Sequence, residues 1–236
     1  KVLSRARRFA SSRTAARGEA SKVKTLILHL APADLSGVNV CPQSTPECRA
    51  LCLNTAGRGI FEAIQEARLR RTREYLADPM AFAERLRKEV WAAYRNLPAG
   101  WTLAVRVNGT SDLPALAARV AAPFVNVPRI AFYDYTKIKG AMSRKDGVQR
   151  TFSQSEANAA WTPAMLHAGY NVAVVFNTPK SGALPSAYHG FVVLDGDESD
   201  LRFRDPQGGY VIGLRAKGPA RRNMSNGFVV DASDMA

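Results

Sequence analysis

The chain is short of cysteine, histidine and acid. It has 3 Cys, 3 His and only 20 Asp and Glu against 33 Lys and Arg in 236 residues. So few thiols, in an odd number, exclude the dense disulfide framework of a small secreted domain. The histidines, His29, His167 and His189, are scattered. None has the i, i+4 partner of a zinc-binding helix, so none is assigned as a ligand. Long apolar runs are missing too. Nothing approaches the roughly 20 residues a membrane helix needs, so no membrane partner is expected. The N-terminus has no apolar h-region, which argues against a signal peptide or twin-arginine export and for a reducing, cytoplasmic setting. Neither GxGxxG nor GxxxxGK[ST] occurs, so the dinucleotide fingerprint and the P-loop are excluded. No fixed-period repeat is present, which excludes a solenoid.

The shortage of acid leaves a formal charge of +13. A balance this basic favours a polyanionic partner, nucleic acid or a nucleotide. Over half of the excess sits in residues 1–24, where eight cations, among them Arg5, Arg7 and Arg8, face the single acid Glu19. This stretch reads as a mobile basic arm, either phosphate-binding or simply solvated. Residues 25–236 then form one domain, long enough and apolar enough to bury a core.

All three thiols fall in one stretch, Cys41, Cys48 and Cys52, spaced C-x6-C-x3-C. It follows an apolar run, Thr25 to Leu30, that reads as a buried strand. Three readings are open. The thiols are ordinary buried cysteines packed as small hydrophobes. They hold zinc with a His or water as fourth ligand. Or they hold an iron–sulfur cluster with one iron left free of cysteine. The polar turn between the first two, Pro42 to Glu47, is unlike a core strand and argues against the first reading, and of the other two an iron–sulfur cluster on Cys41, Cys48 and Cys52 is favoured.

The rest of the chain alternates short β-branched strands with polar clusters and helices. Helices are expected over Gly59–Leu76, from the Asp78-Pro79 cap onward, over Leu113–Ala122 and over Thr162–Ala168. Strands are expected over Trp101–Val107, Arg129–Tyr133, Arg150–Phe152, Asn171–Phe176, Gly190–Leu194 and Tyr210–Leu214, with one more at Gly227–Val230. Strands so apolar are covered on both faces, as in parallel sheets. The expected fold is α/β, a partial or distorted parallel (β/α)6 barrel with a basic N-terminal arm.

The unusual polar residues cluster after strands, where parallel folds place their chemistry. Lys137, Glu156 and Asp112 are the candidate catalytic groups. Asn108, Ser111, Ser153, Asn177 and Arg215 are the candidate cofactor-binding groups. For Asp112 the plainer alternative is a helix N-cap. The Arg68–Arg73 run, with Arg68 and Arg71, is a further candidate phosphate contact beside the arm.

Two resemblances follow from these blocks. The ordered string NVCPQSTPECRALCLNTAGRG, RVNGTSD, FYDYTK, FSQSEAN, NVAVVF, DGDESDLRFRDP and GLRAKG resembles the gene product 88 family of tailed bacteriophages, over roughly residues 25–230. That implies a phage protein made in a bacterial host's cytoplasm, and no activity by itself. The layout is also similar to radical S-adenosylmethionine enzymes, which carry three cysteines after the first strand of a partial barrel. This likeness implies that Cys41, Cys48 and Cys52 ligate a [4Fe-4S] cluster and that S-adenosylmethionine binds its free iron; together with the basic charge, the expectation is an iron–sulfur enzyme acting on a nucleic acid or nucleotide. The spacing departs from that family's C-x3-C-x2-C, and Asn108, Gly109 and Thr110 stand where its Gly-Gly-Glu motif belongs. The rival expectation is a non-enzymatic nucleic-acid-binding phage protein with a structural zinc or iron–sulfur site.

Overall fold

The computed structural model describes residues 9–11, 22–55, 57–143, 145–222 and 227–232. The expected arm contacts Arg5, Arg7 and Arg8 lie outside the described residues.

The strands are β1 (Phe9–Ser11), β2 (Val23–Leu28), β3 (Thr102–Arg106), β4 (Ile130–Thr136), β5 (Val148–Ser153) and β6 (Val172–Phe176). They continue with β7 (Ala187–Tyr188), β8 (Phe191–Asp195), β9 (Val211–Arg215) and β10 (Val229–Val230). They form one sheet in the order β1-β2-β3-β4-β5-β6-β9-β8-β7, with β10 also paired to β6. From β2 to β6 each strand lies parallel to the one before it. β9, β8 and β10 join in parallel, while β1 and β7 pair antiparallel at the two edges. The architecture is therefore α/β with a mixed, loosely barrel-like sheet. The expected all-parallel radical-enzyme barrel is corrected on this point: β1 comes from within the stretch expected to be an arm, and the β7–β8 hairpin ends the other side.

Sequential parallel neighbours require crossovers, and right-handed crossovers put the intervening helices on one face. α3 (Pro79–Arg95) and α4 (Pro114–Ala121) do this. The i, i+4 series Phe82, Leu86 and Val90 on α3 is fully buried with Leu116 and Val120 of α4 against Leu103 and Val105 of β3. Each such side chain contributes about 1.5–3 kcal/mol. Asp78 starts α3 by accepting from the amide of Ala81 at 2.9 Å, a cap of about 1 kcal/mol.

The opposite face carries a smaller core of Val23, Ala104 and Tyr133. It is covered by the segment between β8 and β9, whose Leu201 and Phe203 pack there. Arg202 between them is fully buried, 3.3 Å from Asp205. Its Leu-Arg-Phe alternation marks it as an inserted covering strip. At the carboxyl ends of the strands, Leu51 from the cysteine loop packs on Ala216, Ala220 and Val229. The loop after β2 thus reaches the segments following β9.

α2 (Glu62–Ala77) is different. Only Arg68 and Thr72 of its 16 residues are buried. The Arg68 guanidinium donates to both the carbonyl and the side chain of Asn54. Thr72 accepts from the amide of Ala31 at 2.8 Å, and Arg71 donates to the carbonyl of His29 at 3.0 Å. The arginine run expected to face phosphates therefore includes one arginine turned inward and another tied to the backbone. Both fasten α2 to the loops beside it.

Candidate functional site

The polar clusters that follow the strands converge. A cavity of about 1170 Å³ opens at the carboxyl ends of the parallel strands. Its wall takes Cys41, Cys48 and Cys52 from the loop after β2, and Asn108 to Asp112 from the end of β3. Thr136 and Lys137 come from β4, Ser153 from β5, the 196–201 segment from β8, and Arg215 and Lys217 from β9. Phe228, just before β10, also lines it. Open and barrel-like parallel sheets bind ligands at this end.

Asn108 is the hinge pin of the β3 corner. Its backbone and side-chain amides donate to the two carboxylate oxygens of Asp134, at 2.9 and 3.0 Å. Its side-chain oxygen accepts from Ser111 at 2.8 Å and from the amide of Leu113 at 2.9 Å. The helix that follows starts at Pro114 with no side-chain cap, so Asp112 does not serve as its N-cap. Ser111 is buried within this corner and its hydroxyl is spent on Asn108. Burial pushes the Asp134 carboxyl up to about 7, against the pull of Arg106, the two Asn108 bonds and Arg150. Asp134 lies inside β4 rather than after it, because the strand runs on to Thr136. Gly109 has no room for a side chain: a Cβ there would stand 2.6 Å from the His29 ring. That close approach brings the β3 corner against the end of β2.

Asp112 reaches across to β4. It accepts from the Thr136 hydroxyl and from the Lys137 amide, both at 2.8 Å. Burial raises its carboxyl above the usual range, opposed by those two bonds and by the Lys137 charge. The turn carrying Lys137 is thereby fixed. The Lys137 ammonium donates to Ser153 Oγ at 2.8 Å and lies 5.7 Å from the centre of the Phe228 ring. Among the described residues no carboxylate stands within ion-pair distance of it.

The other cations of the cavity are more fully matched. Arg215 directs Nη1 to Asp195 at 2.8 Å and to Asp197 at 3.3 Å, and its Nε and Nη2 to the Gly182 carbonyl. Lys217 meets Asp197 at 2.6 Å. Burial alone would raise Asp197, but the bonds from Lys217 and Arg215 hold it below the usual carboxylate range. Arg106 pairs with Asp200 at 3.4 Å and stacks 4.6 Å over the Tyr135 ring.

Two expected site residues stand apart from the cavity wall. Asn177 donates to Asp231 and accepts from the amide of Ala232, both at 2.9 Å, so it holds the chain after β10 to β6. Glu156 has a buried Oε2 without a hydrogen-bond partner, and its Cβ sits against Gly227.

The cysteines share the cavity wall but do not form the expected centre. Among the described residues, no group of three or more His, Cys, Asp or Glu side chains could hold a metal ion. The [4Fe-4S] cluster, the structural zinc and the S-adenosylmethionine that depended on the cluster are corrected by this finding. The local physics explains it. Cys41 accepts from the amide of Ala33 at 3.4 Å and donates to the carbonyl of Thr110 at 3.6 Å, a thiol satisfied by backbone. Burial pushes it up to about 11, so it stays protonated at neutral pH. Cys48 sits on a short helix, α1 (Pro46–Ala50), capped by Thr45. Cys52 lies beyond that helix, where burial raises its thiol against the Asn54 amide bond and the Arg68 and Lys137 charges. The three thiols are free and line one wall, but without the convergent ligand set that the spacing appeared to promise.

Fold and site together define an α/β protein with a cavity at the strand ends, where, among the described residues, Lys137 of the turn after β4 has no carboxylate within ion-pair distance. A family profile described as gene product 88 matches residues 3–232. The chain belongs to the gene product 88 family, the tailed-phage family that its sequence blocks resemble. No curated protein and no solved structure gives a significant match. Among the described residues no helix is long and apolar enough to cross a membrane.

Proposed function

We propose that this phage protein binds a nucleic acid or nucleotide, with a phosphate held by Lys137 and Ser153 in the cavity at the strand ends. One observation carries the reading. Lys137 is a half-buried ammonium that a carboxylate-fixed turn aims into the cavity, with a hydroxyl but no carboxylate as its partner. A cation drawn out of bulk water with no carboxylate in direct contact gains from a ligand that brings a charge of opposite sign. Ser153 adds a second donor, since its oxygen accepts from the lysine and its hydroxyl hydrogen can turn to a ligand. Asp112 acts as a positioning residue for Lys137. The overall charge of +13 supports a polyanion, and the arm residues Arg5, Arg7 and Arg8 supply further phosphate contacts in this reading.

We read the sheet as part of a barrel, on the sequential order β2 to β6 and the cysteine loop meeting the segments after β9. The setting is the host cytoplasm. Calorimetric titration with nucleotides and inorganic phosphate tests the reading. Lys137→Ala should weaken binding at least tenfold, the worth of a hydrogen bond to a charged group. Equal affinity in the two proteins would remove Lys137 from the account.

A further inference from the structure

The cavity has an outer lip that repeats its inner chemistry. Lys139, two residues beyond Lys137 at the start of α5 (Lys139–Met142), places its ammonium 5.7 Å from the centre of the Trp161 ring. Trp161 is 39% exposed, and Lys139 is exposed. So the ends of β4 and β5 present two lysine–aromatic pairs. Lys137 with Phe228 lies within the cavity, and Lys139 with Trp161 lies outside it.

The two pairs are held in fixed register. Asn158 donates from its side chain to the Ser153 carbonyl at 3.1 Å, and its own carbonyl accepts from the Trp161 amide at 2.9 Å. One asparagine therefore ties the serine of the inner site to the tryptophan of the lip. On the other strand, the Ile138 amide donates to Thr136 Oγ1 at 3.0 Å, so the step from Lys137 to Lys139 is also set. Residues two apart span at most ~7 Å of chain, which is about one nucleotide step of an extended strand.

We infer that the ligand is single-stranded nucleic acid, threaded from the lip into the cavity. This rests on the reading that Lys137 holds a phosphate. One base stacks on the exposed face of Trp161, Lys139 meets the phosphate beside it, and the next phosphate reaches Lys137 and Ser153. Alternating cations and aromatic faces are how proteins grip unpaired strands without reading sequence. A duplex offers neither an open base for Trp161 nor a backbone narrow enough to follow Lys137 into the cavity.

Fluorescence anisotropy with a labelled oligodeoxythymidine, calorimetry with dTMP, and a duplex of equal length separate the possibilities. The wild type should prefer the single strand to the duplex. Trp161→Leu should lower the preference for oligomer over dTMP about tenfold, the worth of one stacked base. Lys139→Gln, a change at an exposed position, should reduce the salt dependence of oligomer binding by about one phosphate contact. Circular dichroism checks that both variants keep the fold. Equal preferences in wild type and both variants, or duplex binding as tight as single strand, would overturn the lip while leaving dTMP in the cavity. Failure of the wild type to bind dTMP, phosphate or oligomer would overturn the anion site itself.

Discussion

Asp134 offers the sharpest test of how the β3 corner is built. Its carboxyl is buried at 2% exposure, with both oxygens accepting from Asn108. Burial dominates, and lifts the group from 3.8 to about 7 in the folded protein. Between those two values the folded chain holds a proton that the unfolded chain has released. Stability therefore falls as pH rises from about 4 to 7, and levels off above. The full difference corresponds to at most ~4 kcal/mol. Asp134→Asn removes the ionisation but turns one amide N–H toward the Asn108 amide, losing a hydrogen bond of about 1 kcal/mol. The orientation of Asn108 cannot adjust, because its oxygen is fixed by the Leu113 amide.

Two opposite effects follow. Near pH 4 the variant should be about 1 kcal/mol less stable than the wild type. At pH 8 it should be about 3 kcal/mol more stable, because only the wild type carries a buried carboxylate. Urea unfolding of both proteins across this range measures the crossing. Asp112, also raised by burial, and His29, lowered to about 4 by burial and by the Arg68, Arg106 and Arg71 charges, titrate in both proteins. Their contributions cancel in the difference. A difference that stays flat from pH 4 to 8 would show that Asp134 is not ionising within the folded protein, and would refute the burial argument.

Two further perturbations probe the rest of the architecture. Arg202→Met leaves Asp205 partly buried without its cation and should cost about 3 kcal/mol. Adding Asp205→Asn should recover most of the loss, and a double variant as weak as the single one would show that packing, not charge, holds the strip between β8 and β9 in place. Cys41, with its thiol raised to about 11 by burial, should resist iodoacetamide at pH 8 and react as pH approaches 11. Peptide mass spectrometry follows the label, and rapid modification of Cys41 at pH 7 would contradict its burial as a thiol.

Much of this arrangement is legible from residue order, for a definite reason. Strands buried on both faces are apolar and β-branched, so their ends are marked wherever polarity returns. That is why Asn108, Asp112, Lys137 and Ser153, which lie far apart in sequence, could be expected at one mouth, and they do line one cavity. What polarity cannot reveal is its own direction. The arginines of α2 look like a solvated face, yet Arg68 turns inward, where Asn54 offers it a carbonyl and an amide oxygen. The cysteine loop misleads in the same way. Thr45-Pro46-Glu47 is a helix start, with a capping hydroxyl and a proline at the first position. That signal lies between Cys41 and Cys48 and sets Cys48 on a helix rather than in an open loop. Spacing counts residues along the chain, whereas a shared centre needs side chains to converge in space. Cys41 spends its thiol on two backbone partners, and among the described residues no such convergence forms.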